Sequence, residues 1–252
     1  MYAVLNCIVT QHDLRLVVLA AVICVLASFT AISLLHHVRR SGAHTAHMRR
    51  VWLAVSAIST GFGVWATHFI AMLAFSPGVP TAYNIALTGL SLVAAILLTG
   101  AGLAVAVESI AGAGAWLGGA MVGGGIAAMH YTGMAAFEIP GRIVWDPTLV
   151  AASIALGGLI GAAALPIGLR EDNVKWKILG ALLLTAAICS HHFTAMGAAK
   201  IVLDPAIELS GTALPPGLLA IAVAFASFVI VGLALGASRS RCALADASLR
   251  PA

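Results

Sequence analysis

Three copies of His-x-x-x-Met recur at a period of 62 residues: His68 to Met72, His130 to Met134 and His192 to Met196. All three lie in apolar stretches. Residues i and i+4 share one face of a helix, so each copy presents an imidazole and a thioether in the same direction. Thioether sulfur selects Cu(I), and imidazole suits copper, zinc and iron. A histidine inside a membrane span is costly unless it pairs or faces the bundle interior, which makes it a functional candidate. Six such residues exceed what one ion requires. Three His with a Met or an open position hold one ion, and three separate His–Met pairs hold two. A fourth match, His44 to Met48, lies in a basic segment out of phase with the others and reads as coincidence.

The elements that carry these residues are membrane helices. Hydrophobic residues make up 61% of the chain and charged residues 9%, against roughly 25% charged in soluble domains. Residues 16–38, 51–107, 111–137, 147–169, 178–199 and 209–238 contain no Asp, Glu, Lys or Arg. A spanning helix needs about 20 apolar residues, and the turn signal Ser76-Pro77-Gly78-Val79-Pro80 divides the longest stretch. The pattern predicts an all-α integral membrane protein with seven transmembrane helices near 14–36, 51–75, 83–107, 114–137, 148–169, 178–199 and 217–237. The membrane domain covers 10–238, and 239–252 form a short cytoplasmic tail. No cleaved signal peptide is expected, because the first residues lack a basic segment and the first apolar run is too long.

Lysine and arginine set the orientation. With the N-terminus outside, Arg39, Arg40, Arg49, Arg50, Arg170, Lys175, Lys177, Arg239, Arg241 and Arg250 fall inside. Only Arg142 and Lys200 lie in outer loops, with Arg15 at the first boundary. These residues already serve topology, so the net charge of +4 needs no nucleic-acid partner. Four cysteines are too few and scattered for a disulfide framework.

The 62-residue period accommodates two spans and their connections. It predicts three two-helix repeats plus one extra N-terminal helix. Successive motifs are two spans apart, so all enter the membrane from one side. Each His then lies about 10 Å below the outer boundary, and the three can converge on one site. Glycines around the motifs, Gly118, Gly119, Gly123, Gly124, Gly125, Gly157, Gly158 and Gly161, favour close helix approach.

Neighbours of the motifs rank lower. The residue before each His (Thr67, Met129, His191) is rotated by about 100° and is expected to point away from the His/Met face. His191 suits either a hydrogen bond to a neighbouring helix or a metal role. Cys189 either faces the same cavity or is a small buried hydrophobe. Tyr131 and Thr132 are placed to orient His130 through hydrogen bonds. His36, His37, His44 and His47 are expected at the solvated inner interface. Glu138, just past the fourth span, is an interfacial carboxylate or a guide for cations.

Met129-His130-Tyr131-Thr132, extended to MHYTGMAAF over 129–137, resembles the motif of the MHYT family, and the resemblance covers about residues 10–238. It implies a bacterial inner-membrane sensor that binds copper, one or two ions, through motif His and Met. The residues carried over are His68, Met72, His130, Met134, His192, Met196 and Met129. Thr67 and His191 depart from the leading Met in the first and third copies. The implied stimulus is a gaseous ligand such as oxygen, carbon monoxide or nitric oxide. Family members often continue into a cytoplasmic output domain, and after Ser238 only a short tail is present here; the expectation is either a separate cytoplasmic output protein as partner, beside the lipid bilayer, or a chain that is only the sensor.

Two other classes compete. A metal or small-solute transporter would use internal repeats but place its site at the midplane. A haem redox protein would use two histidines as axial ligands and leave the recurrent Met unexplained. No catalytic triad, phosphate loop or carboxylate pair stands out, so the chain is not read as an enzyme.

Overall fold

The computed structural model describes residues 2–40, 46–108, 112–230 and 232. His44, the tail and the last residues of the seventh expected span lie outside them. Helices α1 (Tyr2–Gln11), α2 (Leu14–Arg40), α3 (Ala46–Ala74), α4 (Ile85–Glu108), α5 (Ala113–Ala136), α6 (Pro147–Gly168), α7 (Val174–Ala198) and α8 (Pro216–Ile230) follow in order. Of these, α2, α3, α4, α6 and α7 are long and apolar enough to cross a membrane. The glycine-rich α5 is as long as α4 and has buried residues along its whole length. The chain is a multi-pass, all-helical membrane protein.

Local chemistry starts these helices where the charges run out. Asp146 accepts hydrogen bonds from the Thr148 and Leu149 amides at 2.9 and 3.2 Å, with Pro147 opening α6. Asn173 caps α7 through the Trp176 amide at 3.1 Å, and Asn84 caps α4 through Leu87 at 3.1 Å. These caps matter in lipid, where no water satisfies the first amides of a helix.

Packing then forms a closed ring. Each of α2 to α7 packs on the next, and α7 returns to α2. The motif helices also touch inside it, α3 on α5 and α5 on α7. The result is an inner triangle of α3, α5 and α7, with α4, α6 and α2 filling the outer gaps. By the repeat alone, the return helix of the third unit belongs beside α7 as α4 does beside α3. The extra helix α2 sits there instead, between α7 and α3, and α8 flanks α2 and α3 along a groove lined by Leu19, Ile23, Ile70 and Val223.

One end of the bundle is tied by short β-ribbons, which the sequence reading did not foresee. Strands β1 (Ala82–Tyr83) and β2 (Phe137–Glu138) pair antiparallel, as do β3 (Gly141–Trp145) and β4 (Ala199–Leu203). Residues from two to five long carry too little alternation to be legible as strands. Helix α1, also unforeseen, packs on α7 at this ribbon end. It delivers His12, buried between the rings of Phe75 and Phe193 and donating from Nδ1 to the Cys7 carbonyl at 2.9 Å.

The opposite, arginine-bearing end corrects the reading of His36. It is buried rather than solvated, and its Nε2 donates to the Gly168 carbonyl at 2.9 Å. Nearby, Asp172 pairs with Arg40 and Lys177, and Arg39 donates to the Leu169 carbonyl at 2.5 Å. His37 stacks on Trp52 at 5.1 Å. These contacts pin the end of α2 to the α6–α7 turn, and the buried His36 and Lys177 find their polar partners there.

Candidate metal centre

His68 on α3, His130 on α5 and His192 on α7 meet on the axis of the inner triangle. All are buried, with 2%, 1% and 5% of their surface exposed. The Nδ1 of His68 lies 3.2 Å from the Nδ1 of His130 and 3.2 Å from that of His192. One ligand nitrogen from each ring lies within 4.8 Å of the other two. Among the described residues this is the one His/Cys/Asp/Glu cluster of that compactness.

The arrangement has an electrostatic requirement. A neutral imidazole carries one N–H, so His68 Nδ1 either donates along one edge or accepts along others, and one proton cannot serve both edges as donor. With its proton on Nε2, His68 Nδ1 accepts along both edges, and the same three nitrogens, with their lone pairs turned inward, can instead face a cation between them. With metal–nitrogen bonds of roughly 2.0–2.1 Å, adjacent tetrahedral ligands lie about 3.3 Å apart. The observed 3.2 Å edges therefore fit a metal ion held by nitrogen.

Glycine makes the approach possible. A methyl group at Gly133 on α5 would lie 2.6 Å from Nε2 and 3.0 Å from Cδ2 of His68. Gly133→Ala is expected to swing the His68 ring off the cluster while leaving the helices folded. Its expected cost is roughly 10-fold or more in metal affinity, similar to disturbing an orienting partner, read by competition titration with a copper chelator.

The three histidines border a cavity of about 40 Å³. Thr67, Met129 and His191, the residues preceding each His, line it too, with Cys189 on α7 and Val17, Ala20 and Ala21 on α2. This corrects the expectation that the leading residues point away. Helix α3 is enclosed on most sides, and a helix surrounded by protein presents positions 100° apart to the interior equally well. Met72, Met134 and Met196 are buried but are not among the cavity's lining residues. They sit one turn nearer the ribbon end, and Met134 lines a separate pocket there with Glu138 and Glu208. Glu138 itself accepts from the Ser210 amide at 3.0 Å.

Neither Tyr131 nor Thr132 orients His130 by a hydrogen bond. The Tyr131 hydroxyl pairs with Ser153 Oγ at 2.8 Å, and Thr132 donates to the Ala128 carbonyl at 2.8 Å. The rings of Tyr131 and His130 meet edge to face at 5.1 Å instead. Ser153 on α6, fully buried and passed over in the sequence, holds two groups: its hydroxyl meets Tyr131, and its carbonyl accepts from His191 Nδ1 at 2.9 Å. Cys24 on α2 interacts directly with Cys189.

Comparison with known proteins follows the same period. A family model described as the bacterial signalling protein N-terminal repeat, MHYT, matches residues 61–119 and again 123–181. An uncharacterized signaling protein of Caulobacter vibrioides is 38% identical over 248 residues, covering 96% of this chain and 30% of the relative. Two proteins of Pseudomonas aeruginosa are also similar. The bifunctional diguanylate cyclase/cyclic di-GMP phosphodiesterase MucR is 32% identical over 90% of this chain and 34% of its own length. The cyclic di-GMP phosphodiesterase NbdA is 36% identical over 84% and 27%. This chain thus spans about a third of the length of the curated relatives it matches. No solved structure matches it.

Proposed function

The chain belongs to the MHYT family of bacterial signalling proteins, and we propose that it is a membrane sensor unit that binds copper between α3, α5 and α7. Membership makes it a signalling membrane domain rather than an enzyme, since the part of the relatives that it matches is the membrane repeat. The observation that carries the copper reading is the pair of 3.2 Å Nδ1–Nδ1 edges in an apolar interior. His68, His130 and His192 would hold the ion. Met129 offers a thioether at the same cavity, and Met72, Met134 and Met196 are the further sulfur donors toward the ribbon end, enough for a second ion. Copper held there would offer Lewis-acid or redox binding to a ligand of one or two heavy atoms, a diatomic gas or another molecule of that size. The protein's part is to exclude bulk water and hold the three rings at fixed separation.

In this reading seven helices cross the bacterial inner membrane, α2 to α7 and, as the seventh, α8. The ribbon end faces outward. Arg39, Arg40, Arg49, Arg170, Lys175 and Lys177 gather at the other end, as cytoplasmic residues do. A change in packing at the cavity would reach that end through α2, which lines the cavity at Val17, Ala20 and Ala21 and is pinned to Asp172 through Arg40. The relatives named for cyclic di-GMP turnover suggest an output of that kind, on the same polypeptide or on a partner.

Elemental analysis after reconstitution tests the metal. Protein purified in lipid nanodiscs, exposed to Cu(I) and desalted, should retain one or two copper ions per chain and little zinc. Retention of no copper by folded protein would overturn the copper reading and leave the repeat a packing element.

A further inference from the structure

His191 stands in the third repeat where the motif of the second has Met129. It is fully buried, and its ring lies edge to face with that of His130 at 5.1 Å. Its Nδ1 lies 2.9 Å from the Ser153 carbonyl. A carbonyl only accepts, so Nδ1 carries the imidazole proton and Nε2 keeps its lone pair. That Nε2 is buried without a hydrogen-bond partner, and His191 lines the same small cavity as the three clustered histidines. Its nitrogen is not part of the compact ligand cluster. The residue therefore faces the guest of the cavity rather than completing the ion's first set of ligands.

We propose that His191 makes this cavity select small protic ligands, molecules of one or two heavy atoms that bear an O–H or N–H. A volume of about 40 Å³ admits one such guest. A protic guest satisfies Nε2 by donating to it. An aprotic guest displaces that donor and leaves a buried acceptor unpaired, and displacing an ordered water without replacing its hydrogen bond loses affinity. A diatomic whose outer atom carries partial negative charge meets a lone pair instead of a donor. Methionine at this position, as in the second copy, sets no such condition, since its thioether is a weak acceptor. The ligand class rests on the copper reading above, whereas the tautomer and orientation of His191 do not.

Two measurements on the full chain in nanodiscs test the assignment. In the unloaded protein, ¹⁵N NMR of labelled histidine, with His191 identified by its loss in His191→Gln, should show a neutral ring protonated at Nδ1. In the copper-loaded, reduced protein, carbon monoxide serves as the aprotic probe, followed by infrared absorption. His191→Leu should bind it about tenfold more tightly than the parent. His191→Gln, whose amide oxygen restores an acceptor, should return toward the parent. An Nε2-protonated ring, or carbon monoxide affinity unchanged in His191→Leu, overturns the proposal. A parent chain that takes up no copper defeats the metal reading by itself, and the NMR tautomer then decides whether His191 presents an acceptor to the cavity.

Discussion

His68→Ala is expected to abolish useful copper binding, lowering affinity by more than the roughly 100-fold lost when an outer partner of a metal ligand is removed. The reason lies in the asymmetry of the cluster. His68 Nδ1 forms both 3.2 Å edges, so His130→Ala or His192→Ala leaves one edge standing and His68→Ala leaves neither. The measurement is copper retention by elemental analysis, with a chelator competition for each single variant. Thermal unfolding of the unloaded His68→Ala protein should fall only modestly, since the cavity left by the buried ring is partly offset by removal of an Nε2 that has no hydrogen-bond partner. The sulfur donors divide by position. Met129→Leu should weaken Cu(I) binding more than Met72→Leu, Met134→Leu or Met196→Leu, since Met129 alone of the four lines the cavity. An equal loss in all four would place the ion nearer the ribbon end than the histidine geometry does.

The second large effect is expected at the α5–α6 contact. A methyl group at Gly119 would run into the Gly161 carbonyl oxygen and lie 2.9 Å from the Ala162 Cα. At Gly123 it would strike the Gly157 carbonyl oxygen and lie 2.7 Å from the Gly158 Cα. Both obstacles are backbone, which cannot rotate aside. Gly119→Val and Gly123→Val are each expected to destabilise the bundle by about 3 kcal/mol. Copper binding should fail with the fold, because α5 carries His130. Gly124 is the internal control: nothing lies within 4 Å of its added methyl group, so Gly124→Ala should change stability by no more than about 1 kcal/mol, in the favourable direction for a helix. Unfolding midpoints in detergent decide this. Equal tolerance at all three positions would mean that α5 and α6 do not meet as described.

Much of this architecture was legible in residue types. Charge-free stretches marked where helices run, and six of the expected spans, from 14–36 to 178–199, coincide with α2 to α7 within a few residues at most ends. Length is readable because apolar solvent tolerates no charge along a whole span. The period placed His68, His130 and His192 at matching heights on α3, α5 and α7, and glycine spacing announced where backbones meet. Short ribbons and α1 escaped notice, because contacts between distant loops leave no local pattern in so few residues.

Rotation about the helix axis is where the sequence fell silent. In water, the polar face of a helix tells which side is buried. Here both the lipid-facing and the protein-facing sides are apolar, so nothing in the residue pattern distinguishes them. The i+4 rule therefore singled out Met72, Met134 and Met196, while packing turned Thr67, Met129 and His191 into the cavity. The same silence hid the place of α2, which closes the ring between α7 and α3. By itself the sequence determined an all-helical membrane bundle, its repeat and three histidines at one depth, because hydrophobicity and spacing act along the chain. Only tertiary structure decided which side chains face the common cavity and which helix completes it, because in an apolar medium those choices rest on shape and backbone approach between segments far apart in sequence.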